Sequence, residues 1–197
     1  MGVIKTALEI ALEKTAGISG DKSSVIQFEA EQKGKKLANA FLAGEADLAE
    51  ELKKASSEDK TLLSSMKQGV FDVFITQITL PSTKDDLKKT DKLGKGFNVI
   101  VKSKEASVFF SQLTAIFDQY LQEAAQYEQM VRQQYAPKLR QKEEELSRRF
   151  GREVKIDPQQ DPEFVNFLNQ HINALKGNYE PVVEQAKSEL RVMFEEK

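Results

Sequence analysis

The chain has 197 residues, of which 40% are hydrophobic and 30% are charged, and its net charge at pH 7 is -2. This near-neutral balance gives no overall attraction to nucleic acid or anionic lipid, so such binding would need a local patch. The absence of cysteine excludes disulfides, thiolate metal sites and cysteine nucleophiles. The small number of prolines and glycines is typical of a helical protein.

Nothing in the sequence predicts a membrane segment or an export signal. No apolar run approaches the roughly 18 residues that span a bilayer. The first residues lack the continuous apolar region of a signal peptide, because Lys5, Glu9 and Glu13 interrupt them. Gly2 stands in a loose match to the myristoylation pattern, for which an ordinary residue is the simpler explanation. We therefore expect a cytoplasmic protein that does not bind membranes.

The first part of the chain has the apolar spacing of four amphipathic helices. They are predicted over residues 2–16, 24–43, 45–55 and 56–80. Gly34 weakens the second helix slightly, since glycine is a poor helix former. The fourth helix is apolar on most sides and rich in β-branched and aromatic residues, so a strand over 70–80 is the alternative.

The segment 81–104 has the least regular pattern of the chain. Its lysines are interrupted by Gly94 and Gly96, and its last apolar residues alternate with polar ones. It is predicted to be either a loop with a short strand or a helix that leads into the next segment. A strand here would pair with the alternating residues Val154 and Ile156.

The rest of the chain, from residue 105 onward, organises the prediction. Apolar residues recur at steps of four and three along two arms, 105–150 and 161–194. The first arm carries Leu113, Phe117, Tyr120, Ala124, Tyr127 and Val131, and the second carries Leu168, Ile172, Leu175, Tyr179, Val182 and Ala186. Two such arms joined by a short connection predict an antiparallel helical hairpin that resembles a coiled coil. The fold class is therefore all-α, with an N-terminal helical part at 1–104 and the hairpin at 105–197.

The ends and the middle of the two arms carry their own signals. Gly151 is a typical residue after a helix, and Asp161 followed by Pro162 is a typical helix start. The predicted hairpin turn comprises Gly151, Asp157, Pro158, Asp161 and Pro162. Pro137 and Pro181 each disturb one arm, because proline removes a backbone hydrogen bond and collides with the preceding turn. We expect the two prolines to lie near one level of the hairpin and to form a hinge.

No residue pattern in the chain predicts catalytic chemistry. Asp157, Gln159, Asp161 and Glu163 are spaced like calcium ligands, but the loop lacks the required glycine and the final glutamate, and turn formation explains the aspartates. His171, the one histidine of the chain, has no second metal-binding residue near it in a recognised spacing. We therefore predict no catalytic, cofactor-binding or metal site and expect that the protein is not an enzyme.

Basic and aromatic residues are the remaining candidates for binding. Basic clusters at 84–104 and 132–155 could contact phosphates, although interleaved glutamates make solvated helix faces the simpler interpretation. A row of aromatic residues along the arms is typical of a core or of a subunit interface. The candidate interface residues are Phe109, Phe117, Tyr120, Tyr127, Tyr135, Phe164 and Phe167.

Two stretches, GKKLANAFL of the second helix and GREVKIDPQQDPEF at the hairpin turn, resemble an uncharacterised family of bacterial all-helical proteins. The resemblance implies a bacterial source and an unknown function, and it supplies no activity or cofactor. From the residues themselves we predict a non-enzymatic interaction or scaffolding protein that self-associates into a homo-oligomer or binds a protein partner. The alternative is a nucleic-acid- or ribosome-associated factor that uses the two basic clusters.

Overall fold

The computed structural model describes residues 22–58 and 60–196. Within these ranges the chain forms six α-helices and one 3-10 turn, with no β-strand, which confirms the predicted all-α class. The chain divides between Thr76 and Gln77 into two compact units. The helix predicted over residues 2–16 and the possible lipidation site at Gly2 lie outside the described residues.

The first unit consists of three helices, which are α1 (Lys22–Ala43), α2 (Leu48–Glu58) and α3 (Lys60–Thr76). Residues later in α1 contact residues later in α3. The Lys35 ammonium lies 3.4 Å from a carboxylate oxygen of Asp72, and further along the Phe41 and Phe74 rings are 6.0 Å apart. The two helices therefore run side by side in the same direction, with α2 as the connection between them.

Two buried glycines allow α1 and α3 to touch backbone to backbone. A Cβ atom on Gly34 would overlap the backbone carbonyl of Met66, and one on Gly69 would overlap the backbone carbonyl of Glu31. Glycine in a helix costs roughly 0.5–1 kcal/mol relative to alanine, so these positions trade helix propensity for close packing. Gly34 lowers the helix propensity of α1, but the close approach of α1 and α3 where they cross requires a glycine there.

The segment 70–80 is helical up to Thr76, so the alternative of a strand is wrong there. Val70, Phe71, Phe74 and Ile75 are buried at helical spacing, which the strong apolar character of the segment had obscured. The helix ends four residues earlier than predicted, and Leu80 is not part of it. Pro81 disfavours helical geometry at the residue before it, which fits an end ahead of Leu80.

The second unit contains three helices and a 3-10 turn. Their bounds are α4 (Lys84–Val101), α5 (Lys104–Phe150), the 3-10 turn (Pro158–Gln160) and α6 (Pro162–Glu195).

Helix α4 resolves the uncertain segment 81–104 as a helix. Its first turn is closed by the Asp86 carboxylate, which accepts the backbone N–H groups of Ser82 and Thr83 at 3.0 and 2.9 Å. The proposed strand pairing with Val154 and Ile156 is wrong, because both of those residues donate their N–H groups to side chains of α5 instead.

Helix α4 packs against the start of α5. The Phe97 and Phe110 rings are 5.7 Å apart, and Thr114 donates a hydrogen bond to Asp91 at 2.9 Å. A Cβ atom on Gly94 would stand 2.7 Å from the Cβ and Cγ atoms of Phe110. The absence of a side chain at Gly94 therefore makes room for the Phe110 ring. The expected division at residue 104 therefore falls inside the second unit, because α4 belongs with α5.

Helices α5 and α6 pair in antiparallel order. Aromatic rings meet at three levels, with centroid distances of 5.2 Å between Tyr120 and Tyr179 and 5.5 Å between Tyr135 and Phe164. Between these levels, the Tyr127 ring lies 6.2 Å from His171. Contacts nearer the end of α5 are therefore nearer the start of α6, as in an antiparallel pair.

The two prolines do not lie at one level, so that expectation is wrong. Pro181 is close to the level of Tyr120, whereas Pro137 is close to Tyr135, roughly four to five helical turns away along α5. Each proline lies inside a continuous helix, without a break. A hinge role for either proline stays a prediction.

Candidate functional site

Asp161 organises the end of the α5/α6 pair where α6 begins. Its side chain is only 4% exposed, and its Oδ1 accepts the backbone N–H groups of Glu163 at 2.9 Å and Phe164 at 3.3 Å. This is the N-cap that the sequence predicts. Its Oδ2 accepts a hydrogen bond of 2.6 Å from the ammonium of Lys142 on α5, so the cap also ties the two helices together.

Lys142 uses all three donors of its ammonium in this region. Besides Asp161, it donates to the Tyr135 hydroxyl at 3.1 Å and contacts a carboxylate oxygen of Glu163 at 2.6 Å. The same oxygen of Glu163 lies 3.0 Å from Lys138. We call these five residues, Tyr135, Lys138, Lys142, Asp161 and Glu163, the Lys142 cluster.

The electrostatics of the Lys142 cluster favour its charged groups. Hydrogen bonds from Lys142 lower the pKa of Asp161, and with Lys138 they lower the pKa of Glu163 to about 2. Hydrogen bonds to these carboxylates raise the pKa of Lys142, and burial raises the pKa of Tyr135. These shifts favour charged Asp161, Glu163 and Lys142 and a neutral Tyr135, which suits an electrostatic contact between the two helices.

An apolar layer lies beside the Lys142 cluster. Val131, Tyr135 and Phe164 are its buried members, and Phe164 has no exposed surface. The Arg132 guanidinium stands 5.7 Å from the centroid of the Phe164 ring and also pairs with Glu128 at 2.8 Å. The Lys142 cluster therefore lies directly beside tightly packed apolar side chains.

Beyond the Lys142 cluster, α5 continues for about two turns to Phe150, where no other helix of the described residues runs beside it. The returning chain runs back along it, and the backbone N–H groups of Val154 and Ile156 donate to Ser147 and Glu143, each at 2.9 Å. We call residues 146–156 the tip. Gly151 caps α5 with a left-handed φ of 65°, as glycine readily does.

The remaining predicted turn residues make local hydrogen bonds. Asp157 accepts the N–H of Gln159 at 3.0 Å, and Pro158 begins the 3-10 turn. Pro162 opens α6 directly after Asp161. In the described part of the chain, no group of three or more histidine or carboxylate side chains is placed to hold a metal ion.

The sequence model of a family of unknown function, DUF6657, matches residues 49–192. The chain belongs to this family. The resemblance to an uncharacterised family is thereby confirmed. No curated protein and no solved structure matches the chain. The matched region runs from α2 into the last turns of α6, so it includes the Lys142 cluster and the tip.

A second surface of this family member lies midway along the α5/α6 pair. His171 stacks near Tyr127 and meets the edge of the Phe167 ring at a centroid distance of 4.8 Å. Tyr127 and Met130 are each 37% exposed. We call Tyr127, Met130, Phe167 and His171 the aromatic patch. His171 thus forms part of a half-exposed surface.

The seven candidate interface residues fall into two groups. Phe117, Tyr120, Tyr135 and Phe164 are buried within the folded chain, so they already have apolar neighbours. The others keep part of their surface exposed, and they are Phe109, Tyr127 and Phe167. An interface role remains a prediction for these three.

The sequence reasoning missed the Lys142 cluster. Lys142 stands at a position of the apolar seam, seven residues after Tyr135, where a leucine or valine would be expected. A charged residue at a seam position signals a buried or half-buried ion pair. Its partners could not be named, because they are set by how far the returning helix slides along α5.

None of the described helices combines the length and the apolar character that a membrane-spanning helix needs.

Proposed function

We propose that this protein is a non-enzymatic interaction module that self-associates through one side of the α5/α6 pair. The observation that carries the proposal is a line of partly exposed apolar side chains on that side, interrupted by one glutamate. Phe109, Ile116 and Met130 stand at multiples of seven residues along α5, with Glu123 between the last two. A spacing of seven places residues almost in line along a helix.

Two grooves lie along this line. One has a volume of about 310 Å³ and is lined by Phe109, Ile116 and Val182, among others. The other is lined by Glu123, Gln126, Tyr127 and Met130. A line of grooves and half-exposed rings is the kind of surface that another helix pair covers.

A second copy of the chain is the occupant that we propose. A two-fold dimer places the same patch of both chains in contact, so one line of apolar residues supplies both halves of the interface. Tyr127 and Met130 suit such a contact, since tyrosine adds large area at low conformational cost and methionine adapts to its neighbours. The Gln and Glu side chains between them would form the polar part of the interface.

The test is sedimentation velocity over a wide range of protein concentrations. We expect the wild type to dimerise, and the double variant Tyr127→Ser, Met130→Ser to raise the dissociation constant at least about tenfold, since two partly exposed apolar side chains are lost. The matched control is Val25→Ser, Ile26→Ser, which removes two exposed apolar side chains from α1. A wild-type protein that stays monomeric at several hundred micromolar contradicts the proposal.

The alternative is a nucleic-acid- or ribosome-associated factor that uses the two basic clusters. Ion pairs within the chain reduce the positive charge that these clusters can offer to phosphates. In the basic cluster at 84–104, Lys88 pairs with Asp85 and Lys89 pairs with Asp86. In the cluster at 132–155, the Lys142 cluster neutralises its own lysines. In the tip, four basic side chains stand beside one carboxylate.

A further inference from the structure

The tip combines positive charge with an exposed aromatic ring. Its eleven residues include four basic side chains, Arg148, Arg149, Arg152 and Lys155, and one acidic side chain, Glu153. Phe150 is 60% exposed at the end of α5. The Phe150 ring therefore offers an accessible aromatic face next to the basic side chains of the tip.

The three arginines of the tip are available for a partner, whereas Lys155 pairs with Glu153 at 3.3 Å. Arg149 and Arg152 form no ion pair within the described residues. Arg148 lies 3.7 Å from Glu144, and both side chains are highly exposed, so this pair contributes little. By contrast, Arg132, Lys138 and Lys142 further down the pair all have carboxylate partners on the chain.

The backbone of the tip is held in place before any partner arrives. The bonds from Val154 to Ser147 and from Ile156 to Glu143 attach the returning segment to the last turns of α5. Glu143 is thereby turned toward the backbone of the tip. Because the tip is ordered by its own contacts, binding would not have to order it, which favours affinity.

We propose that the tip binds single-stranded nucleic acid, with Phe150 stacking on a base and the three arginines contacting phosphates. Arginine matches phosphate with two parallel hydrogen bonds, and an exposed ring beside it provides a stacking surface for an unpaired base. An anionic bilayer fits less well, since one phenylalanine supplies little apolar area for insertion and stable membrane binding takes more than one weak anchor. This inference is independent of self-association through the α5/α6 side.

The experiment is fluorescence polarisation of a labelled 15-nucleotide oligouridylate RNA with the full chain in 50 and 200 mM KCl. We expect binding at 50 mM that weakens about fivefold or more in Phe150→Ser, since stacking on one base is lost. Arg149→Gln, Arg152→Gln should weaken it about tenfold and lower the salt slope by about 1.4, from two lost phosphate contacts on a single strand.

The matched control is Lys84→Gln, Lys95→Gln, which removes two exposed lysines from α4 and should leave the affinity within about twofold, because these residues lie outside the tip. Circular dichroism checks that each variant is folded. Absence of RNA binding at 50 mM KCl overturns the proposal, and so does an equal loss of affinity in the lysine control. Binding to vesicles of phosphatidylserine and phosphatidylcholine without binding to RNA overturns it in favour of a membrane partner.

Discussion

The α1/α3 crossing and the end of the α5/α6 pair are both close contacts between helices, but different chemistry holds them. At the crossing, Gly34 and Gly69 remove side chains so that two backbones touch. At the end of the α5/α6 pair, Lys142 and Asp161 instead form an ion pair of side chains between the two helices. The first contact depends on shape alone, whereas the second depends on shape and on ionisation.

This comparison predicts how each region responds to change. A backbone contact has no side chain that can move aside, so an added methyl group should be costly and its effect should not depend on pH. An ion pair tolerates small changes of shape, but it weakens when a carboxylate is protonated. The predictions below test this difference, from the largest expected effect to the smallest.

Gly69→Ala should destabilise the first unit by about 3 kcal/mol, because the new methyl group meets the Glu31 carbonyl rather than a flexible side chain. Urea unfolding followed by circular dichroism measures the effect. The matched control is Gly177→Ala in α6, where, apart from the adjacent residues and the backbone of α6 itself, no atom of the described residues lies within 4 Å of the new methyl group. Removing a helical glycine should there stabilise the protein by about 0.5–1 kcal/mol. Equal effects of the two substitutions on the free energy of unfolding would contradict the close backbone contact between α1 and α3.

Asp161→Ala should destabilise the second unit by about 2 kcal/mol, since it removes both the N-cap of α6 and the partner of Lys142. Asp161→Asn keeps a capping oxygen and removes the charge, so it should cost less than the alanine variant. Urea unfolding of both variants separates the cap from the ion pair.

The same ion pair should make stability depend on acid pH. The folded-state pKa of Asp161 is lowered by Lys142, and that of Glu163 is lowered to about 2. A lowered pKa contributes stability above the ordinary carboxyl range, and this contribution is lost as the pH falls through the folded-state values. The wild type should therefore lose its advantage over Asp161→Asn as the pH falls from about 4, the ordinary pKa of an aspartate, through the lowered folded-state pKa of Asp161. A constant difference over that range would show that the ion pair is unimportant.

Gly94→Ala should cost about 1 kcal/mol, less than Gly69→Ala, because its methyl group meets the Phe110 side chain, which can shift. The double variant with Phe110→Leu tests this reason by urea unfolding. If the ring is the obstacle, the alanine should be better tolerated beside leucine, so the two effects should not add. Strict additivity would indicate that the cost arises elsewhere.

Local signals in the sequence predicted much of the helical structure. Gly151, Asp161 and Pro162 mark helix ends because capping depends on residues close together in the chain. Of the apolar residues named for the two arms, Tyr120 and Tyr179 lie in contact. By contrast, the sequence does not decide between a loop with a short strand and a helix for the segment of α4, because its two glycines resemble helix breakers. In the structure one of them, Gly94, lies against the Phe110 ring.

The candidate surfaces were less visible in the sequence than the helices. Phe109, Tyr127 and Phe167 were named as interface residues together with four aromatics that the fold buries, because a row of rings does not show which of its members a neighbour covers. The tip was predicted as a turn with basic residues around it. The exposure of Phe150 emerged only once the path of the returning chain was known.

By itself the sequence determined the all-α class, most of the helices and the capped turn between α5 and α6, since these follow from periodicity and from contacts a few residues long. Only the tertiary structure decided that α4 packs with α5, that Gly34 and Gly69 are contact points, and that Pro137 and Pro181 lie at different levels. Each of these depends on residues far apart in the chain. The register between two helices is set by the packing of all their side chains together, and no short stretch of sequence contains that information.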